Sequence, residues 1–237
     1  MRQQLKRVPL AGPALAQLTR FSRRHTFAGS GRYWERHYAR GGTSGDGSAG
    51  ARARFKAAVL NDLVARHGVA SVVEFGCGDG RQLALARYPR YLGLDVSATA
   101  LRRTRDRFAG DPTKSFLCYD PGSFADPAGF VSADLAISLD VIYHLVEDET
   151  YRCHLRHVFG AGRRFVVLFT SDQDTLAAGE RPAPHVRHRP VVRDIDRLFP
   201  RWRLRERIPN RYPYRGPGTE TSFADFFVYE PTPAGDG

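Results

Sequence analysis

The chain has 237 residues, 42% of them hydrophobic, and a formal net charge of +11. That length supports one large domain with a sizeable core, and no run approaches the ~20 apolar residues that a membrane helix needs. Nearly all the positive charge is arginine spread from end to end, with lysine only at 6, 56 and 114; a dispersed field favours anionic substrates but forms no stripe and no binding module, so nucleic acid is not the expected partner.

Residues 1–50 read as a basic N-terminal extension, with a short helix around 14–21. They lack the apolar block and small-residue cleavage site of a secretory leader, and a cytoplasmic location is the expectation. The extension continues through an aromatic cluster (Tyr33, Trp34, Tyr38) into Gly41-Gly42-Thr43-Ser44-Gly45-Asp46-Gly47-Ser48. That stretch is too flexible for a core and reads as a loop or lid. A main domain is expected over residues 51–231, with 232–237 as a tail. Over 51–67, Phe55, Val59, Leu60, Leu63 and Val64 recur at helical spacing, and Gly68 follows as a C-cap would. The pattern then predicts strand 71–76, helix 80–87, strand 91–95, helix 97–108, strand 115–119, strand 133–138, helix 147–159 and strand 164–170. Such alternation implies a parallel sheet with helices on both faces. The last fifth differs: helix 191–199, then strands 203–208 and 223–229 joined by the Pro- and Gly-bearing connection 209–222, a long hairpin loop.

The most informative stretch is Val72-Val73-Glu74-Phe75-Gly76-Cys77-Gly78-Asp79-Gly80. An apolar run of a buried parallel strand leads into an acid and three alternate glycines, which let backbone come close to a ligand. Asp95, fifteen residues beyond Gly80 and at the end of the next apolar run, can accept hydrogen bonds from both hydroxyls of a ribose. A dinucleotide fingerprint needs Gly or Ala at the sixth position from Gly76, where this chain has Arg81. Glu-x-Gly-x-Gly-x-Gly with Asp95 instead resembles the class I (Rossmann-like) S-adenosylmethionine (SAM)-dependent methyltransferases of the small-molecule type, from about Tyr33 to Tyr229.

The resemblance implies an α/β fold with a seven-stranded, mostly parallel sheet ordered 3-2-1-4-5-7-6, helices on both faces and a terminal antiparallel hairpin. It implies SAM as cofactor, with Glu74, Gly76, Cys77, Gly78 and Gly80 around the methionine part and Asp95 on the ribose. Val96 and Leu139 would pack on the cofactor, and Asp120 would meet the adenine amino group; Asp120 before Pro121 is equally a turn starter. Strand four ends in Asp140-Val141-Ile142-Tyr143-His144, similar to segments in which an aromatic–histidine pair lies beside the transferring methyl, and it lacks the Asn/Asp-Pro-Pro-Tyr/Phe pattern of amino-methylating enzymes. His144, His185 and His188 are all candidates for the base that deprotonates an acceptor hydroxyl, with Tyr143 shaping the methyl channel. Tyr33, Trp34, Arg187, Arg211 and Tyr212 are expected around a small-molecule acceptor such as a sugar, glycan or natural-product intermediate. RNA or protein acceptors and a non-catalytic binding module are the alternatives. The three cysteines (77, 118, 153) show no metal spacing and fit a reduced setting. His154 and His157 read as surface residues, no metal is expected, and the oligomeric state stays open.

Overall fold

The structure is a computed structural model describing residues 27, 29–173, 183–215 and 222–233. The expected helix at 14–21, part of the 209–222 connection and part of the tail lie outside the described residues.

Seven strands form one sheet: β1 (Val72–Phe75), β2 (Tyr91–Asp95), β3 (Lys114–Cys118), β4 (Ala133–Leu139), β5 (Gly162–Thr170), β6 (Trp202–Ile208) and β7 (Asp225–Pro231). Their order is β3-β2-β1-β4-β5-β7-β6, as the resemblance implied. β1 runs parallel to β2 and β4, β3 continues beyond β2 and β5 beyond β4, and β7 is antiparallel to both β5 and β6. The helices are α1 (Ser30–Ala39), α2 (Gly50–Arg66), α3 (Ala98–Arg107), α4 (Asp148–Ala161) and α5 (Val191–Leu198).

Strand period two explains the layering. Val72 of β1 and Phe165, Val167 and Phe169 of β5 pack with Leu60 and Leu63 of α2 and Leu101 of α3. Their alternates Val73, Phe75, Val166 and Leu168 pack with Leu155 and Val158 of α4 and Ile195 of α5. Central strands are therefore apolar on both faces. The outer strand β6 is largely exposed and carries Arg203, Arg205 and Arg207 paired to Glu230 and Asp225 of β7, charges that discourage edge-to-edge association.

Two expectations need correction. No helix spans 80–87: a single 3-10 turn, Leu83–Leu85, stands there. The chain reaches Tyr88-Pro89 within eight residues of Gly80, and the residue before proline disfavours the helical region. Side chains of α2 satisfy backbone groups there instead, since Asn61 donates to the Leu85 carbonyl (3.0 Å) and accepts from the Arg87 amide (2.7 Å). His154 is buried, not a surface residue, because it hydrogen-bonds with the Ser138 hydroxyl at 2.8 Å across the α4–β4 contact. No helix among the described residues is long and apolar enough to cross a membrane.

Candidate active site

The carboxyl ends of β1, β2 and β4 open into a cavity of about 350 Å³, where ligands of open parallel sheets bind. Its floor is the loop after β1. Gly78 adopts φ +59°, and a Cβ there would stand 2.3 Å from the Ser44 hydroxyl and 2.9 Å from that of Tyr38, so only glycine admits the overlying segment. The Asp95 carboxylate closes the end of β2. It accepts from the amides of Gly78 and Ser97, both at 2.8 Å, and burial raises its pKa to about 6. Glu74, fully buried beneath, accepts from the Tyr91 hydroxyl at 2.6 Å; burial lifts it to about 7 against the pull of Tyr91 and Lys56.

The roof comes from the N-terminal extension. α1 is clasped at both ends: Ser30 donates to Glu147 through its amide (2.8 Å) and hydroxyl (2.6 Å). Glu35 accepts from the hydroxyls of Ser97 (2.7 Å) and Thr99 (2.5 Å). Arg103 reaches back from α3 to the carbonyls of Tyr38 and Gly42, both at 2.6 Å. The glycine–serine stretch is pinned by Asp79, whose carboxylate accepts from the amide (3.2 Å) and hydroxyl (2.8 Å) of Ser44. The aromatic cluster predicted from sequence faces the cavity: the Tyr33 ring stacks on His185 at 4.4 Å, and Trp34 meets His144 edge-on at 4.9 Å.

The β4 end supplies the polar wall. Asp140 is the only non-glycine residue with positive φ (59°) among those described, a conformation costing ~1–2 kcal/mol outside glycine. Its carboxylate accepts from Lys56 Nζ (2.5 Å) and the Tyr143 hydroxyl (2.7 Å). Lys56 is 1% exposed and lies over the Phe169 ring. A lysine so buried persists only where its charge is paired. His144 Nδ1 lies 3.0 Å from the carbonyl of His185. A carbonyl can only accept, so Nδ1 carries the proton and Nε2 keeps its lone pair. Burial pushes His144 down to about 4, leaving it neutral near pH 7.

Of the expected site residues, Tyr33, Trp34, Glu74, Gly76, Cys77, Gly78, Asp95, Val96, Leu139, Tyr143, His144 and His185 line this one cavity. Others stand elsewhere. Gly80 turns away against Thr104 and Phe108. Asp120 caps its own turn, accepting from Gly122 N and Ser123 Oγ at 3.0 Å each, so the turn-starter alternative describes its geometry. His188 pairs with the Ser171 hydroxyl at 2.7 Å, and Arg187 forms an ion pair with Asp148. Arg211 is exposed, and Tyr212 packs edge-on to Phe55. Sequence reasoning missed Lys56, Asp79 and Asp140. Their signals were an isolated lysine inside an amphipathic helix, and acids embedded in the glycine loop and at a strand end.

The residues fit SAM. Glu74, Asp95 and Asp140 present acids to a cavity meant for a sulfonium and an ammonium, and Asp95 keeps lone pairs beyond its two amide bonds for a ribose diol. Residues 73–161 match a family described as a methyltransferase domain, and no curated protein matches the sequence. Among solved structures, the chain is similar to N-methyltransferase NodS from Bradyrhizobium japonicum WM9 in complex with S-adenosyl-L-homocysteine (SAH), at 20% identity, covering 86% of this chain and 98% of that one, with a TM-score of 0.64. It is also similar to magnesium protoporphyrin IX methyltransferase ChlM from Synechocystis PCC 6803 with bound SAH (16% identity, 90% and 100% covered, TM-score 0.58). A third similar structure is the methyltransferase domain of bacterial CtHen1 (16%, 75% and 97%, 0.56). The strand order is that of the class I, Rossmann-like methyltransferase fold, and the match to a methyltransferase domain covers its central part, residues 73–161.

Proposed function

We propose that this protein methylates a hydroxyl of a small molecule held beneath the lid. One observation carries the reading: a single cavity joins the glycine loop and Asp95 at one end to Asp140, Tyr143, His144 and His185 at the other. SAM, when bound, supplies an electrophilic methyl on a sulfonium. Asp95 would hold the ribose and the glycine loop the methionine part, with Val96 and Leu139 against the cofactor. The Asp95 carboxylate favours its positive charge electrostatically. On the acceptor side, neutral His144 offers Nε2 to the hydroxyl whose proton must leave, fixed in orientation by its Nδ1 bond. Lys56 and Asp140 hold Tyr143 in place, and α1 with the 43–48 segment excludes water. Alignment of the partners does most of the work.

A roofed cavity of this size suits a small acceptor, and magnesium protoporphyrin IX, named for one structural neighbour, is a small molecule. The test is transfer of label from methyl-labelled SAM into fractionated small-molecule, RNA and protein pools. Label in small hydroxylated compounds supports the proposal; label confined to RNA or protein refutes it.

A further inference from the structure

His144 owes its tautomer to a carbonyl in the 183–190 loop, which lies outside every helix and strand. His144 itself ends a 3-10 turn, Ile142–His144, and α4 begins only at Asp148. The carbonyls of Leu145 and Val146 fall in the gap, where no backbone amide among the described residues reaches them. One side chain of the loop meets both. Arg189 donates from one terminal nitrogen to Leu145 (2.6 Å) and from the other to Val146 (2.9 Å) and Asp148 (3.2 Å). Its guanidinium also lies over the Tyr151 ring, 4.4 Å from the centroid.

Arg189 is held there at a cost. It is 6% exposed, its Nε has no acceptor among the described residues, and burial lowers its pKa. Replacing a buried ion by an apolar side chain of similar volume is often neutral or stabilising. An apolar side chain cannot, however, fix two successive carbonyls against a rigid planar fork. The arrangement therefore favours a role in position over one in stability.

What Arg189 positions is the His185 carbonyl, four residues back in the same loop, which accepts from His144 Nδ1 at 3.0 Å. The loop is tied to residues 143–146 at two places. The Arg187 amide donates to the Tyr143 carbonyl at 2.7 Å, and Arg189 grips Leu145 and Val146. The Arg187 side chain reaches Val146 as well (3.0 Å), but it is 46% exposed and can exchange that bond for water. One tie lets a loop pivot, and a second fixes its register. We propose that Arg189 is a positioning residue for methyl transfer: by clamping the loop to residues 145–146 it keeps the His185 carbonyl on His144 Nδ1, and so keeps His144 Nε2 free of its proton. The effect on transfer rests on His144 as the base proposed above; the effect on the tautomer stands without it.

The test is a long-range proton–nitrogen correlation spectrum of the full chain labelled with nitrogen-15 in histidine, at about pH 7.5, where His144 is neutral. The His144 signals are assigned by their loss in His144→Gln. Wild type is expected to show His144 protonated on Nδ1. In Arg189→Met the ratio of Nδ1–H to Nε2–H should fall at least tenfold, with calorimetric SAM affinity changed less than twofold. Initial label transfer from methyl-labelled SAM into the small-molecule pool should fall at least tenfold. An unchanged tautomer ratio in Arg189→Met overturns the proposal. If that variant fails to fold or to bind SAM, Arg189→Lys decides: an ammonium is a point donor that cannot span both carbonyls, so the ratio should lie below that of wild type, and equality overturns the proposal. A shifted tautomer with undiminished label transfer keeps the clamp and refutes His144 as the base.

Discussion

Lys56→Met isolates the ion pair at the β4 end. The substitution keeps the aliphatic stem against Phe169 and removes the ammonium 2.5 Å from Asp140. The abandoned carboxylate is 14% exposed and keeps one donor, the Tyr143 hydroxyl. Removing one member of a buried pair costs ~3–5 kcal/mol; partial exposure and the remaining hydrogen bond place this case at the lower end, about 3 kcal/mol. For a chain of this size that corresponds to a melting temperature lower by roughly 6–12 °C. Lys56→Met/Asp140→Asn leaves no unpaired charge and should recover about 2 kcal/mol of the summed single losses. Urea denaturation of the four proteins, read by circular dichroism with slopes compared, measures the cycle. A single-variant cost below about 1 kcal/mol, or additivity, would refute the reasoning that charge pairing places this lysine.

Further outcomes follow from the same geometry. Glu74 sits at about 7 against an ordinary 4.5, so the folded state binds its proton more tightly than the unfolded chain. This contribution is fully present below about pH 4.5 and is lost as pH rises through 7, ~3 kcal/mol in all. Glu74→Gln should therefore gain stability relative to wild type between pH 5 and 8; an unchanged difference in urea midpoint across that range rejects the raised value. Because His144 is neutral above about pH 5, His144→Gln should lower kcat roughly 10- to 100-fold without changing the shape of the pH profile between 6 and 8. An inflection near 6.5 present only in wild type would contradict this. Gly78→Ala must displace Ser44 and Tyr38 and strain its own backbone by ~1–2 kcal/mol; faster limited proteolysis of residues 41–48 and weaker SAM binding are expected, and unchanged cleavage counts against the lid contact.

The strands and most helices were legible because burial on both faces writes near-continuous apolar runs, and a 3.6 period marks α2 and α4. The missing 80–87 helix was not: its polar groups are met by Asn61, distant in sequence, and no local pattern announces such a partner. The cofactor end of the cavity was legible from one contiguous motif plus Asp95. The acceptor end was not, since it is assembled from α1, the Lys56 side of α2, the β4 end and the 183–190 loop. His185 and His188, three apart, face different concavities, which depends on how the loop is tied to Tyr143 and Val146. Asp140 was passed over because an acid at a strand end looks like any turn residue until its positive φ and buried lysine partner are seen.

The central claim is that Asp95 and the glycine loop hold SAM. Calorimetric binding of SAM and SAH to wild type and Asp95→Ala tests it most directly. Asp95 makes charge-assisted hydrogen bonds worth ~1.5–3 kcal/mol each, so micromolar binding should weaken by at least tenfold in the variant. Equal affinity of the two proteins, or no binding of either ligand to wild type, would contradict the account.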